Sequence, residues 1–111
     1  MAYDSAFSPM GPTVLVGTSS VQVKTTNNEG NTSYRVRNLL ATQQYFKWAA
    51  PLPSDAAVTV AAIVTPVDGT PSTRTLGMFP YSVETFSGLP ANAWFLANAV
   101  AAFEITPGEG I

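Results

Sequence analysis

From Ser20 to Asn38 the chain reads SVQVKTTNNEGNTSYRVRN. Val21 and Val23 alternate with Gln22 and Lys24, and Tyr34 and Val36 alternate with Arg35 and Arg37. Both runs therefore keep the two-residue period of strands with one apolar and one wet face. Between them NNEGN supplies Asn27, Asn28 and Gly30, which tolerate the positive φ of a tight reversal. The segment predicts a β-hairpin. Arg35 and Arg37 leave its outer face about 7 Å apart along the strand, where they either grip a carboxylate of another chain or simply solvate the surface.

The same period extends in both directions. TVLVG (13–17) precedes the hairpin; QQYFKWA (43–49) follows it, with Phe46 and Trp48 opposite Tyr45 and Lys47 and Trp48 as the expected core centre. APLPSDA (50–56) is a loop because Pro51 and Pro53 lack ladder donors. VTVAAIVT (58–65) reads as a nearly continuous apolar strand, and PVDGTPS (66–72) as an exposed turn. TRTLGMF (73–79) and YSVETF (81–86) are strands, SGLP (87–90) a turn, and AWFLANAVAAF (93–103) two short strands about Asn98.

AAFEIT (101–106) closes the domain, Pro107 ends its ladder, and Ile111 is left as an apolar hook. Eight to nine short strands without a helical period describe a single-domain, all-β antiparallel sandwich or jelly roll over residues 13–106. Residues 1–12 are an extended N-terminal arm carrying Tyr3, Phe7 and Met10, three apolar side chains suited to docking on a neighbour. Residues 107–111 form a C-terminal tail with Glu109 and Ile111 as contacts. On this reading, removal of the arm leaves the fold intact and costs only binding.

Composition narrows function. Neither His nor Cys occurs, which removes the commonest general base, the best nucleophile and the usual transition-metal ligands. No enzyme, cofactor or metal site is expected. Glu84 and Glu104 on strands and Asp4, Asp55, Asp68 and Glu109 in loops or tail make no marked acid pair. The DGTPS and NNEGN clusters hold one acid each and are turns, not calcium loops. Only 11% of residues are charged, against about 25% in soluble domains, a composition suited to surfaces covered by neighbouring subunits.

Net charge is −2 and the five basic residues, Lys24, Arg35, Arg37, Lys47 and Arg74, are scattered. Nucleic acid is not an expected partner. The N-terminal residues lack the pattern of a signal peptide. AWFLANAVAAF falls short of the ~20 apolar residues of a membrane helix, so no membrane is expected either.

Three stretches carry a resemblance: SVQV with SYRVRNLLATQQYFKWA, SVETFSGLPANAWF, and FEITPGEGI. An R-x-x-N strand, an E-x-F strand before Leu-Pro, and a closing strand ending in TPGEG are similar to small β-sandwich virion structural proteins of tailed bacteriophages, of the capsid decoration or cement type. The resemblance covers roughly half the chain. It implies a protein made in the host cytoplasm that binds the outside of the head as a dimer or trimer. There it would reinforce contacts between subunits of the major capsid protein, without a cofactor. Two alternatives remain: a tail, neck or baseplate component, and a carbohydrate-binding module for host surface glycan that uses Trp48, Trp94 or Tyr81 as a stacking platform.

Overall fold

The computed structural model describes residues 7–25, 31–54, 56–63, 68–69 and 74–109. Nine strands occur among them: β1 Ser8–Pro9, β2 Val14–Val16, β3 Val21–Gln22, β4 Asn31–Asn38, β5 Gln44–Ala49, β6 Thr75–Met78, β7 Val83–Pro90, β8 Trp94–Ala97 and β9 Phe103–Glu109. Every pairing is antiparallel. The pairs are nested: β2 with β9, β3 with β8, β4 with β7 and β5 with β6. The chain is thus one long hairpin with its tip between β5 and β6. Rolling that hairpin sets β9 beside β4 and β8 beside β5. One sheet then runs β2-β9-β4-β7, with β1 extending the β2 edge along β9, and the other β3-β8-β5-β6. This is the jelly-roll form of the expected all-β sandwich.

Alternation fills the space between the sheets. Tyr34, Val36, Phe103 and Ile105 of the first sheet and Phe46, Phe95 and Met78 of the second are buried. Edge-on aromatic contacts join the two layers: Tyr34 to Phe95 at 5.1 Å, Phe46 to Phe103 at 5.2 Å and Phe46 to Phe86 at 5.5 Å between ring centroids. Phe46, not Trp48, is the centre. Trp48 keeps the inward parity but is only partly buried, with the Arg74 guanidinium 4.9 Å over its ring.

Four local expectations are corrected. The 20–38 segment is no hairpin, because β3 pairs with β8 in one sheet and β4 with β7 and β9 in the other. The two strands belong to different sheets, and residues 26–30 between them lie outside the described residues. SGLP is not a turn but the end of β7, where one extra residue against β4 makes a bulge and Gly88 takes φ 81°. Residues 58–63 of VTVAAIVT join no strand, and 64 and 65 lie outside the described residues. Val60 is buried and donates its N–H to Ser20 Oγ at 2.7 Å, drawing this segment beside the β2–β3 connection.

The fourth concerns both termini. β9 does not stop at Thr106 but runs through Pro107 to Glu109, paired with β4 on one side and β1 on the other. The proline is accommodated by direction. Its carbonyl accepts from Met10 N at 2.8 Å, so its nitrogen faces Met10 too. The Met10 carbonyl, which Pro107 cannot serve, accepts from Thr25 Oγ1 at 3.1 Å instead. Gly108 allows the next step, because a β-carbon there would collide with the Ser8 carbonyl and the Phe7 ring. From Phe7 onward the arm is part of the sandwich.

Candidate functional site

The rolled hairpin brings four connections to one end: 17–20, 39–43, 79–82 and 98–102. Hydrogen bonds tie them together. Ala97 N and Ala102 N donate to Gly17 O and Val16 O, Leu39 N donates to Ala102 O, and Tyr81 N to Leu40 O. None of the four contains Asp, Glu, Lys or Arg.

Asn38 anchors this end. It follows Tyr34 and Val36 on the inward parity of β4 and is fully buried. Its amide nitrogen reaches three carbonyls, Thr42 O at 3.1 Å, Met78 O at 3.2 Å and Phe79 O at 3.0 Å, while its Oδ1 accepts from Leu40 N at 3.0 Å. A single side chain thereby fixes the 39–43 and 79–82 connections. Tyr81 and Ala101 hold left-handed φ values of 54° and 51°, conformations that cost about 1 kcal/mol each and persist only where neighbours enforce them.

Large apolar side chains project from this fixed scaffold. Phe79 is 73% exposed, Tyr81 64% and Val100 76%. Val83, the first residue of β7, and Leu15, in the middle of β2, are also exposed and lie towards the same end. Among the described residues, Leu52 is the one other exposed large hydrophobic side chain. An apolar cluster on rigid, uncharged loops is the usual form of a macromolecular contact surface.

The outer face of the first sheet continues that surface as cross-strand rows. Nearest the loop end stand Leu15, Glu104, Arg37 and Val83, each opposite the next. The second row places Thr106 opposite Arg35 and Arg35 opposite Thr85, with Thr13 Oγ1 2.7 Å from Thr106 Oγ1. Arg35, Arg37, Glu104 and Thr106 line a concavity of about 210 Å³. Both arginines are exposed, and neither has an ion pair or hydrogen bond among the described residues.

The other expected contacts lie elsewhere. Phe7, Met10 and Glu109 gather where β1 meets the far end of β9, and Phe7 and Met10 pack on or bond to their own chain there. Tyr3 and Ile111 lie outside the described residues. The three alternative aromatic platforms lie apart: Trp48 shares the inward parity of Phe46, Trp94 takes the outward parity beside buried Phe95, and Tyr81 is on the loop end. Trp94 and Leu96 line a groove of about 560 Å³ together with Thr18–Ser20 and residues from 57 to 62. The Trp94 indole N–H is buried, with no hydrogen-bond partner among the described residues.

Alternation in SYRVRN foretold the arginine face, and the same parity carried one residue further would have placed Asn38 inside. Phe79, Tyr81 and Val100 sit in connections, where no period marks them. Comparison with protein-family models, curated proteins and solved structures yields no match.

Proposed function

We propose that this chain is a non-enzymatic virion protein of a tailed bacteriophage, a decoration or cement protein that binds the outer surface of the head and reinforces contacts between major capsid subunits. The observation that carries the proposal is the exposure of Phe79, Tyr81 and Val100 on uncharged, hydrogen-bonded connections at one end, with Leu15 and Val83 on the adjoining row of the first sheet. Side chains of that size left in water favour a partner surface, and their rigid mounting lowers the entropy lost on docking. The resemblance carried by R-x-x-N, E-x-F and TPGEG supplies the partner. The architecture is compatible with it but does not select it, since jelly rolls occur in capsid, lectin and cupin proteins alike. Many copies on a lattice would turn modest individual contacts into firm attachment.

The test is the protein content of purified particles. Copy number on the scale of the major capsid subunit, together with rebinding of the purified protein to heads assembled without it, is the expected result. A few copies per particle would place it in the tail, neck or baseplate; absence from particles would overturn the proposal.

The Trp94 groove favours one second reading, a glycan-binding module. A neutral, hydroxyl-lined groove with an aromatic ring in its lining suits the apolar face of a sugar. Quenching or blue shift of Trp94 fluorescence by soluble oligosaccharides, abolished in Trp94→Phe, would establish it.

A further inference from the structure

We propose that the concavity between β4 and β9 is a carboxylate-binding site, in which Arg35 and Arg37 receive an acidic side chain of the docking partner. The inference rests on the head-binding role above and names the chemistry by which that surface recognises its partner.

Position comes first. β4 has β7 on one side and β9 on the other, so both arginines rise from the middle of a sheet and not from its edge. Two strand residues on one face stand about 7 Å apart, close enough for two guanidinium groups to converge on one carboxylate. A guanidinium presents its donors as a planar fork that matches both oxygens of a carboxylate. Neither fork has an acceptor among the described residues, and the Thr106 hydroxyl completes the lining.

Charge selects the ligand. Two arginines against Glu104 leave the concavity with one net positive charge, which one carboxylate neutralises. A polyanion such as a nucleic acid backbone would meet the Glu104 carboxylate and a chain of net charge −2. The arginines also flank the apolar contact: Arg37 shares its cross-strand row with Leu15 and Val83. A partner that covers those side chains strips water from Arg37 as well, and a desolvated cation without a counter-charge is penalised. The partner must therefore offer a carboxylate there, and surfaces without one are rejected.

The experiment compares binding to purified heads assembled without this protein. The proteins are the wild type, Arg35→Gln/Arg37→Gln, Arg35→Lys/Arg37→Lys, and Lys47→Gln, which changes a charge on the other sheet. All four should unfold at the same denaturant midpoint, since both arginines are exposed. The Gln pair should bind at least about tenfold more weakly. The Lys pair should fall between, keeping charge without the fork, and Lys47→Gln should match the wild type. Heads whose surface carboxylates have been amidated should lose wild-type affinity while leaving that of the Gln pair unchanged. Undiminished binding by the Gln pair, or by the wild type to amidated heads, overturns the carboxylate site while the docking role stands. A wild-type protein that binds no heads at all removes the docking role itself.

Discussion

Asn38 and Tyr34 occupy inward positions of β4 on either side of Val36 and fasten opposite ends of the sandwich. Asn38 holds three carbonyls and one amide at the loop end, and substitution to Ala strands them in a buried setting. We expect a loss of about 2–3 kcal/mol in urea unfolding with an unchanged m value. Asn38→Asp should cost more at neutral pH, because a carboxylate would face three carbonyl oxygens with nothing to donate, and should recover as acid protonates it. The Tyr34 hydroxyl donates to Pro90 O at 2.7 Å and accepts from Ala93 N at 3.2 Å, closing the β7–β8 connection. Burial pushes its pKa above the usual 10.0, partly offset by the hydrogen bonds from Ala93 and Asn92. The unfolded chain then loses this proton before the folded one does. Stability should fall as pH rises past 10, by up to about 1.4 kcal/mol per pH unit. Tyr34→Phe should abolish that alkaline slope while lowering stability at pH 7; a slope that survives the substitution would show that Tyr34 is not its source.

Strand β9 shows how much a local pattern conveys and where it stops. Its Phe103–Ile105 alternation was plain from the sequence, but Pro107 read as a terminator because a proline removes one ladder donor. The prohibition applies to one side of the strand only. The affected side faces Met10, whose carbonyl finds the Thr25 hydroxyl instead, and no local rule foresees a hydroxyl supplied from a distant segment. Deleting residues 1–10 should consequently destabilise the fold by about 1–3 kcal/mol, through the lost Phe7 packing and the opened edge of β9. Hydrogen exchange at Glu109, whose amide points to the same side as that of Pro107, should accelerate, and a deletion with unchanged stability would restore the picture of a free arm. Gly108→Ala should mimic the deletion by driving Phe7 and Ser8 off β9. The predicted 20–38 hairpin failed for a related reason. Alternation fixes which face of a strand is wet, whereas the choice of partner depends on strands far along the chain, Phe95 for Val21 and Phe86 for Tyr34 among them.

In the whole molecule, the nested pairing decides what the surface offers. Rolling a single hairpin must bring alternate connections to the same end. In this chain those connections are GTSS, LLATQ, FPYS and NAVAA, eighteen residues in four separate places that come to one end only after folding. The low overall charge was legible in the composition; the gathering of four charge-free connections at one end was not, because it depends on the roll. If that end is an adhesive surface, its apolar side chains should contribute to binding and little to folding. Phe79→Ser with Val100→Ser removes two side chains that are 73% and 76% exposed, so the unfolding midpoint should stay within about 0.5 kcal/mol of wild type. Binding to heads assembled without the protein should fall at least about tenfold, as expected for central apolar contacts of an interface. Unlike the loss in the arginine variants, this one should persist at high salt, which screens charge but not apolar burial. Full head binding by the double variant would shift the adhesive surface away from the loop end and leave the exposed Phe79 and Val100 without a role in docking.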